Sequence, residues 1–168
     1  VGALLLLSAC GGGEGGVDGD SAIGGVIGGT GIKGPVAGST VTAYSISGGA
    51  MGARIGTATT DASGNFSLSI GSYSGPVMLQ LSGGTYTDEA TGTAMPMASG
   101  DVMTAVLPSV AAGATISDVR MTPLTSMAQT MAQHLSGGMT DANITSANTA
   151  IGDYFMVRDI LHVQPIDP

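Results

Sequence analysis

Through the middle of the chain, apolar side chains recur at every second position in short runs broken by turn-forming residues. Phe66, Leu68 and Ile70 give the clearest case, a strand with one face turned to a core. Residues 39–46 alternate likewise, with Val41 and Ala43 on one side and Thr40, Thr42 and Tyr44 on the other. Residues 55–60, 77–81, 94–97, 102–107 and 116–121 complete six or seven short strands, a spacing that predicts a mainly β, antiparallel sandwich. Between two of them, Asp61 is placed to cap a tight turn and Gly64 is free to take positive φ.

At Thr122 and Pro123 the period changes. Thr122 is a suitable N-cap, and proline is best tolerated at the first helical position. Leu124, Met127, Ala128, Met131 and Leu135 then recur at three- and four-residue steps, which predicts a helix buried along that stripe. Gly137 and Gly138 stop it. Thr140 caps a second helix with Ile144, Ala147, Ile151 and Phe155 on its inner face, and residues 157–163 form a short third segment. A segment of two to three helices is therefore expected over 122–168.

The N-terminal region has a different texture. A leucine run (Leu4 to Leu7) leads into Ser8, Ala9 and Cys10, the only cysteine, so no intrachain disulfide can form. Leu7-Ser8-Ala9-Cys10 resembles the bacterial lipobox, and the apolar run is too short to span a bilayer. The resemblance implies residues 1–9 as a partial signal peptide and a diacylglyceryl group on the Cys10 thiol. It implies an exported, lipid-anchored chain at the outer membrane or cell surface, because Gly11 is not the aspartate linked to inner-membrane retention. Each buried methylene adds about 0.8 kcal/mol of membrane affinity, and two or more acyl chains hold stably where one does not. Residues 10–31, rich in glycine, read as a lipidated tether with a reach of roughly 25 Å. Val26 and Ile27 within it are suited to begin a strand.

Residues 34–44, followed by Thr59, Asp61, Gly64 and Phe66 in a Thr-x-Asp-x-x-Gly-x-Phe hairpin, resemble the carboxypeptidase-regulatory-like family. That resemblance implies an Ig-like or transthyretin-like sandwich over residues 32–121. The helical part, with Thr122, Thr125, Ala147 and Asn148, is similar to segments that follow such domains in large bacterial surface lipoproteins. It implies more chain beyond Pro168.

Composition narrows the function. Four basic residues (Lys33, Arg54, Arg120, Arg158) against twelve acids give a net charge of −8. A nucleic-acid interface needs a cationic footprint, so that partner class is set aside. Gly29, Gly31 and Gly34 satisfy a GxGxxG spacing, but a strand rather than a helix follows, so no dinucleotide cofactor is expected and the glycines read as linker. His134 and His162 are isolated, with no metal-ligand motif around them, and no Gly-x-Ser-x-Gly elbow frames a serine. Neither catalytic nor metal residues are assigned. Asp18 with Asp20, and Asp88 with Glu89, are the close acid pairs, and neither has the regular oxygen spacing of a calcium loop. Ten methionines read as core filling in a chain without tryptophan, though Met-rich faces also suit copper or adaptable partners.

The expectation is a non-enzymatic lipoprotein, held to a membrane by lipid, whose sandwich serves as spacer, scaffold or interaction module. Its loop at 83–92, with Tyr86, Asp88 and Glu89, is the expected contact site for a protein or glycan partner. The rival is an accessory N-terminal region of a longer secreted enzyme whose catalytic domain lies beyond Pro168. Carbohydrate binding would have to use Tyr44, Tyr73 and Tyr86 as its platform.

Overall fold

A computed structural model describes residues 24–88 and 90–163. Ten strands are followed by two helices: β1 (Gly25–Gly31), β2 (Val36–Ala37), β3 (Thr40–Ser47), β4 (Ala50–Thr59), β5 (Asn65–Gly71), β6 (Gly75–Ser82), β7 (Thr85–Thr87), β8 (Ala94–Pro96), β9 (Val102–Val110), β10 (Thr115–Met121), α1 (Pro123–His134) and α2 (Asp141–Phe155). They make a mainly β sandwich with a helical segment after it. One sheet has the order β10-β1-β5, the other β4-β3-β6-β9, and a small third sheet joins β2, β7 and β8. Pairing is antiparallel apart from β1 with β10, which run parallel.

Period-two patterning places the core. On β5, Phe66, Leu68 and Ile70 are buried while the residues between them are exposed. They meet Val41, Ala43, Val77, Leu79, Leu81, Met103 and Leu107 from the facing sheet. A fully buried aliphatic side chain of this kind contributes about 1.5–3 kcal/mol relative to an exposed one. Over β6 and β9 the second sheet is buried on both faces, whereas its edge strand β4 is largely exposed. Met78 and Val106 point away from the sandwich and pack, with Ile46, against Ala128, Ala132, Met139, Ile144 and Ala147 of the helical layer. The molecule is thus three layers: sheet, sheet, helices.

Residues 25–31 are a core strand, not linker: Ile27 is fully buried, and β1 is the middle strand of its sheet. Glycine hides a strand from periodicity analysis because it has no side chain to alternate. Its presence here has a packing reason. A Cβ at Gly29 would collide with the Val119 carbonyl of β10, and one at Gly31 with Leu81. The GxGxxG glycines therefore end β1 and turn back through an Ile32–Pro35 bridge, with Gly34 at φ +69°.

The buried face of α1 is rotated from the one expected. The α1 residues that are buried are Thr125, Ala128, Gln129 and Ala132, whereas Met127 and Met131 are 45% and 37% exposed. The cause is the free edge of β9. The Ser126 hydroxyl accepts from the Thr104 N–H (2.9 Å), and the Thr125 hydroxyl donates to the Thr104 carbonyl (2.7 Å). Farther along, Asn148 Nδ2 of α2 donates to the Val106 carbonyl (3.2 Å). Unpaired strand edges carry obligatory donors and acceptors. Small polar residues therefore outcompete methionine for the inner face. On α2, Ile144 and Ala147 are buried as expected, but Phe155 is 42% exposed. The expected third helix is a turn that buries Ile160 and Leu161, tied to β10 by the Arg120 N–H donating to the Leu161 carbonyl (2.7 Å).

Both helix starts follow the sequence. The Thr122 hydroxyl accepts from the Thr125 N–H while the Thr125 hydroxyl accepts from the Thr122 N–H, a reciprocal capping box. Thr140 caps α2 through the Asn143 N–H.

The Asp61 turn yields a pH prediction. Its carboxylate accepts the Asn65 N–H (2.9 Å), the Asn65 side-chain amide (3.2 Å) and the Ser63 N–H (2.8 Å). The Asn65 amides, backbone first, hold the carboxyl below its ordinary value. A folded-state pKa below the unfolded one adds stability that is complete above the unfolded value and is lost as pH falls through the folded one. Asp61→Ala should therefore lower Tm at neutral pH, with the gap to the parent closing as pH falls below the ordinary aspartate value of about 4. Thermal melts across that range check it, and a gap independent of pH would contradict the assignment.

Candidate functional site

The loop expected to carry contacts is largely occupied with itself. Tyr86 lies on β7, half-buried between Val36 of β2 and Met95 of β8, and Lys33 Nζ sits 4.7 Å from its ring centroid. Asp88 closes a turn. One carboxylate oxygen accepts from both the Thr91 hydroxyl and the Thr91 N–H at 2.8 Å, and the Asp88 carbonyl accepts from the Gly92 N–H (2.7 Å). The Thr91 hydroxyl, then the Thr91 amide, lower its carboxyl pKa. Glu89 and Cys10 lie outside the described residues, as do Asp18 and Asp20.

The tyrosines named as a sugar platform are dispersed. Tyr73 donates to the Pro76 carbonyl (2.8 Å) and packs on the sandwich core; Tyr44 packs on the helical layer. The exposed aromatic surface is elsewhere. Tyr154 is 79% exposed and stacks edge-on against Phe155, with ring centroids 5.0 Å apart, beside Met156 at 94%. Sequence periodicity missed this patch because it counted Phe155 as inward and gave Tyr154 no role.

The helical layer also carries an open groove lined by Ser126, Met127, Thr130, Met131 and His134 of α1 and Ile151 of α2. None of the six is an acid, lysine or arginine. The Nδ1 of His134 lies 2.8 Å from the Thr130 carbonyl. His162 pairs instead with Asp159 at 2.9 Å. Partial burial works to raise the Asp159 carboxyl, but the His162 contact and the Leu161 amide together hold it below the ordinary value. Among the described residues, no three His, Cys, Asp or Glu side chains gather as a metal cluster, and no helix is long and apolar enough to cross a membrane.

Two buried polar atoms lack a partner among the described residues: Arg120 Nε and Asn148 Oδ1. Arg120 still takes part in a row across the outer sheet. Its guanidinium donates to the Thr30 hydroxyl (2.9 Å), Thr30 donates to Asn65 Oδ1 (3.0 Å), and Asn65 Nδ2 donates to Asp61. The row links β10, β1 and β5 side by side and ends on the turn carboxylate. Compared with known proteins, the chain matches no family model, no curated protein and no solved structure.

Proposed function

We propose that this chain is a bacterial lipoprotein, anchored in the outer membrane or at the cell surface through acylated Cys10, whose carboxypeptidase-regulatory-like sandwich is a non-catalytic spacer, scaffold or interaction module. The observation that carries it is the order of segments. A leucine run, two small residues, Cys10 and a glycine run stand directly before a folded domain. Because β1 starts at Gly25, the stretch between Cys10 and the first strand is no longer than residues 11–24. The interaction half of the reading draws support from the exposed Tyr154, Phe155 and Met156, since contiguous exposed apolar surface marks contact sites more often than chance.

The test is detergent phase separation of the protein expressed in bacteria from its own gene. Wild-type protein should enter the detergent phase, and Cys10→Ala should move it to the aqueous phase with the same far-ultraviolet circular dichroism. Wild-type protein in the aqueous phase would rule the anchor out.

A further inference from the structure

The outward turn of α1 creates a constellation that the sandwich does not need. Met127, Met131 and His134 are spaced i, i+4 and i+7, so they share one face of the helix. All three line the same groove. Apolar side chains of this size are normally buried, yet Met127 and Met131 remain substantially exposed while Ala128 and Ala132 fill the interface beneath them.

The histidine is already oriented. A backbone carbonyl can only accept, so the 2.8 Å contact to Thr130 requires His134 Nδ1 to carry the proton. In the neutral ring, the lone pair then sits on Nε2. Metal-bound histidines commonly hold their other ring nitrogen on a carbonyl or carboxylate, which fixes tautomer and ring direction.

Donor chemistry selects the ion. Two thioethers and an imidazole are soft or intermediate, uncharged ligands, and thioether sulfur selects Cu(I) over hard or borderline divalent ions. Calcium and magnesium require several oxygens, and this groove offers no carboxylate. A net charge of −8 raises the local concentration of any cation. Side chains on a helix lean toward its N-terminus, and the His134 ring reaches back to the Thr130 carbonyl of the preceding turn. Along the helix, Met131 lies one turn before His134 and Met127 one turn before that.

We propose that the outer face of α1 binds a monovalent soft cation, Cu(I) or its redox-silent surrogate Ag(I), through the sulfurs of Met127 and Met131 and Nε2 of His134. The site coordinates the ion without changing its oxidation state. It stands independently of the lipid-anchor proposal.

The test uses the Cys10→Ser chain, which removes the competing thiol, carrying 13C-methyl methionine and titrated with Ag(I). The Met127 and Met131 methyl signals and the His134 ring should shift together and saturate at one equivalent. Met51, Met95 and Met156, all exposed, serve as internal controls and should stay in place. In competition with a chromophoric Cu(I) chelator, Met131→Leu and His134→Gln should each weaken binding by more than roughly tenfold, the lower end of what loss of an outer-shell partner alone produces. Both replacements are surface changes on a helix, and circular dichroism verifies the fold. Equal shifts at the control methionines would mean adventitious thioether binding only and would overturn the proposal. So would unchanged Cu(I) affinity in the two variants, or no saturable shift at all.

Discussion

Gly29→Val should destabilise the protein by about 3 kcal/mol or more, while Gly28→Val, one residue earlier, should leave it folded and close to its parent in stability. The contrast comes from the two faces of β1. At Gly29 the added Cβ would run into the Val119 carbonyl and lie 2.9 Å from Phe66 Cζ. Neither partner can give easily: one is backbone of the adjacent parallel strand, and the other is a buried core ring. The register of β1 against β10 already shifts between Ile27 and Gly29, so the strand has adapted once to bring these backbones together. At Gly28 the nearest atom is the Phe66 carbonyl at 3.6 Å, an ordinary contact, and valine has the better strand propensity. Urea denaturation reads both. A loss near 3 kcal/mol corresponds to a fall in Tm on the order of 10 °C for a domain of this size. Were residues 25–31 a tether, both variants would melt with the parent.

The second large effect concerns the attachment of the helical layer. Gly49, at the tip of the β3–β4 hairpin, has φ +76°, and its carbonyl accepts the Met139 N–H at 2.7 Å. A Cβ there would strike the Gly137 carbonyl, so hairpin and interhelical loop meet backbone to backbone. Gly48 provides the control. It too has positive φ (+59°), but a Cβ there meets nothing within 4 Å. Gly48→Ala should cost about 1–2 kcal/mol, the penalty of a left-handed conformation alone. Gly49→Ala adds the collision, and the difference between the variants should reach a further 1–3 kcal/mol. Hydrogen exchange locates the damage: amides of α1 and α2 should lose protection before those of β6. Equal effects of the two substitutions would show that the contact carries no energy.

These glycines mark the boundary of what the sequence makes legible. Where a strand buries one face, alternation announces it, as Phe66, Leu68 and Ile70 did for β5. Where local chemistry fixes a turn or a cap, as at Asp61, Thr122 and Thr140, the position is readable to the residue. β1 was only half legible because backbone proximity, not side-chain burial, chose its residues. β2 and β7 are two and three residues long and fall in polar surroundings, too short to show any period. The face of α1 was misread because the edge of β9 demands hydrogen bonds, a requirement that exists only once the layers are assembled. The same blindness hid the candidate site: methionines counted toward a core turned out to face the groove with His134.

Of the residues proposed for contact, Tyr86 and Asp88 have structural duties that the polarity of their loop concealed. The signal for Tyr154 and Met156 was present in the chain as apolar residues crowding a helix end. Only the three-dimensional arrangement shows that nothing among the described residues covers them.

Mass spectrometry of the mature N-terminus, on protein isolated from bacterial membranes, tests the lipid anchor. The expected first residue is Cys10, heavier by a diacylglyceryl group and bearing a further acyl chain where the new amino terminus is also modified. A mature chain beginning at another residue, or at an unmodified Cys10, would contradict it.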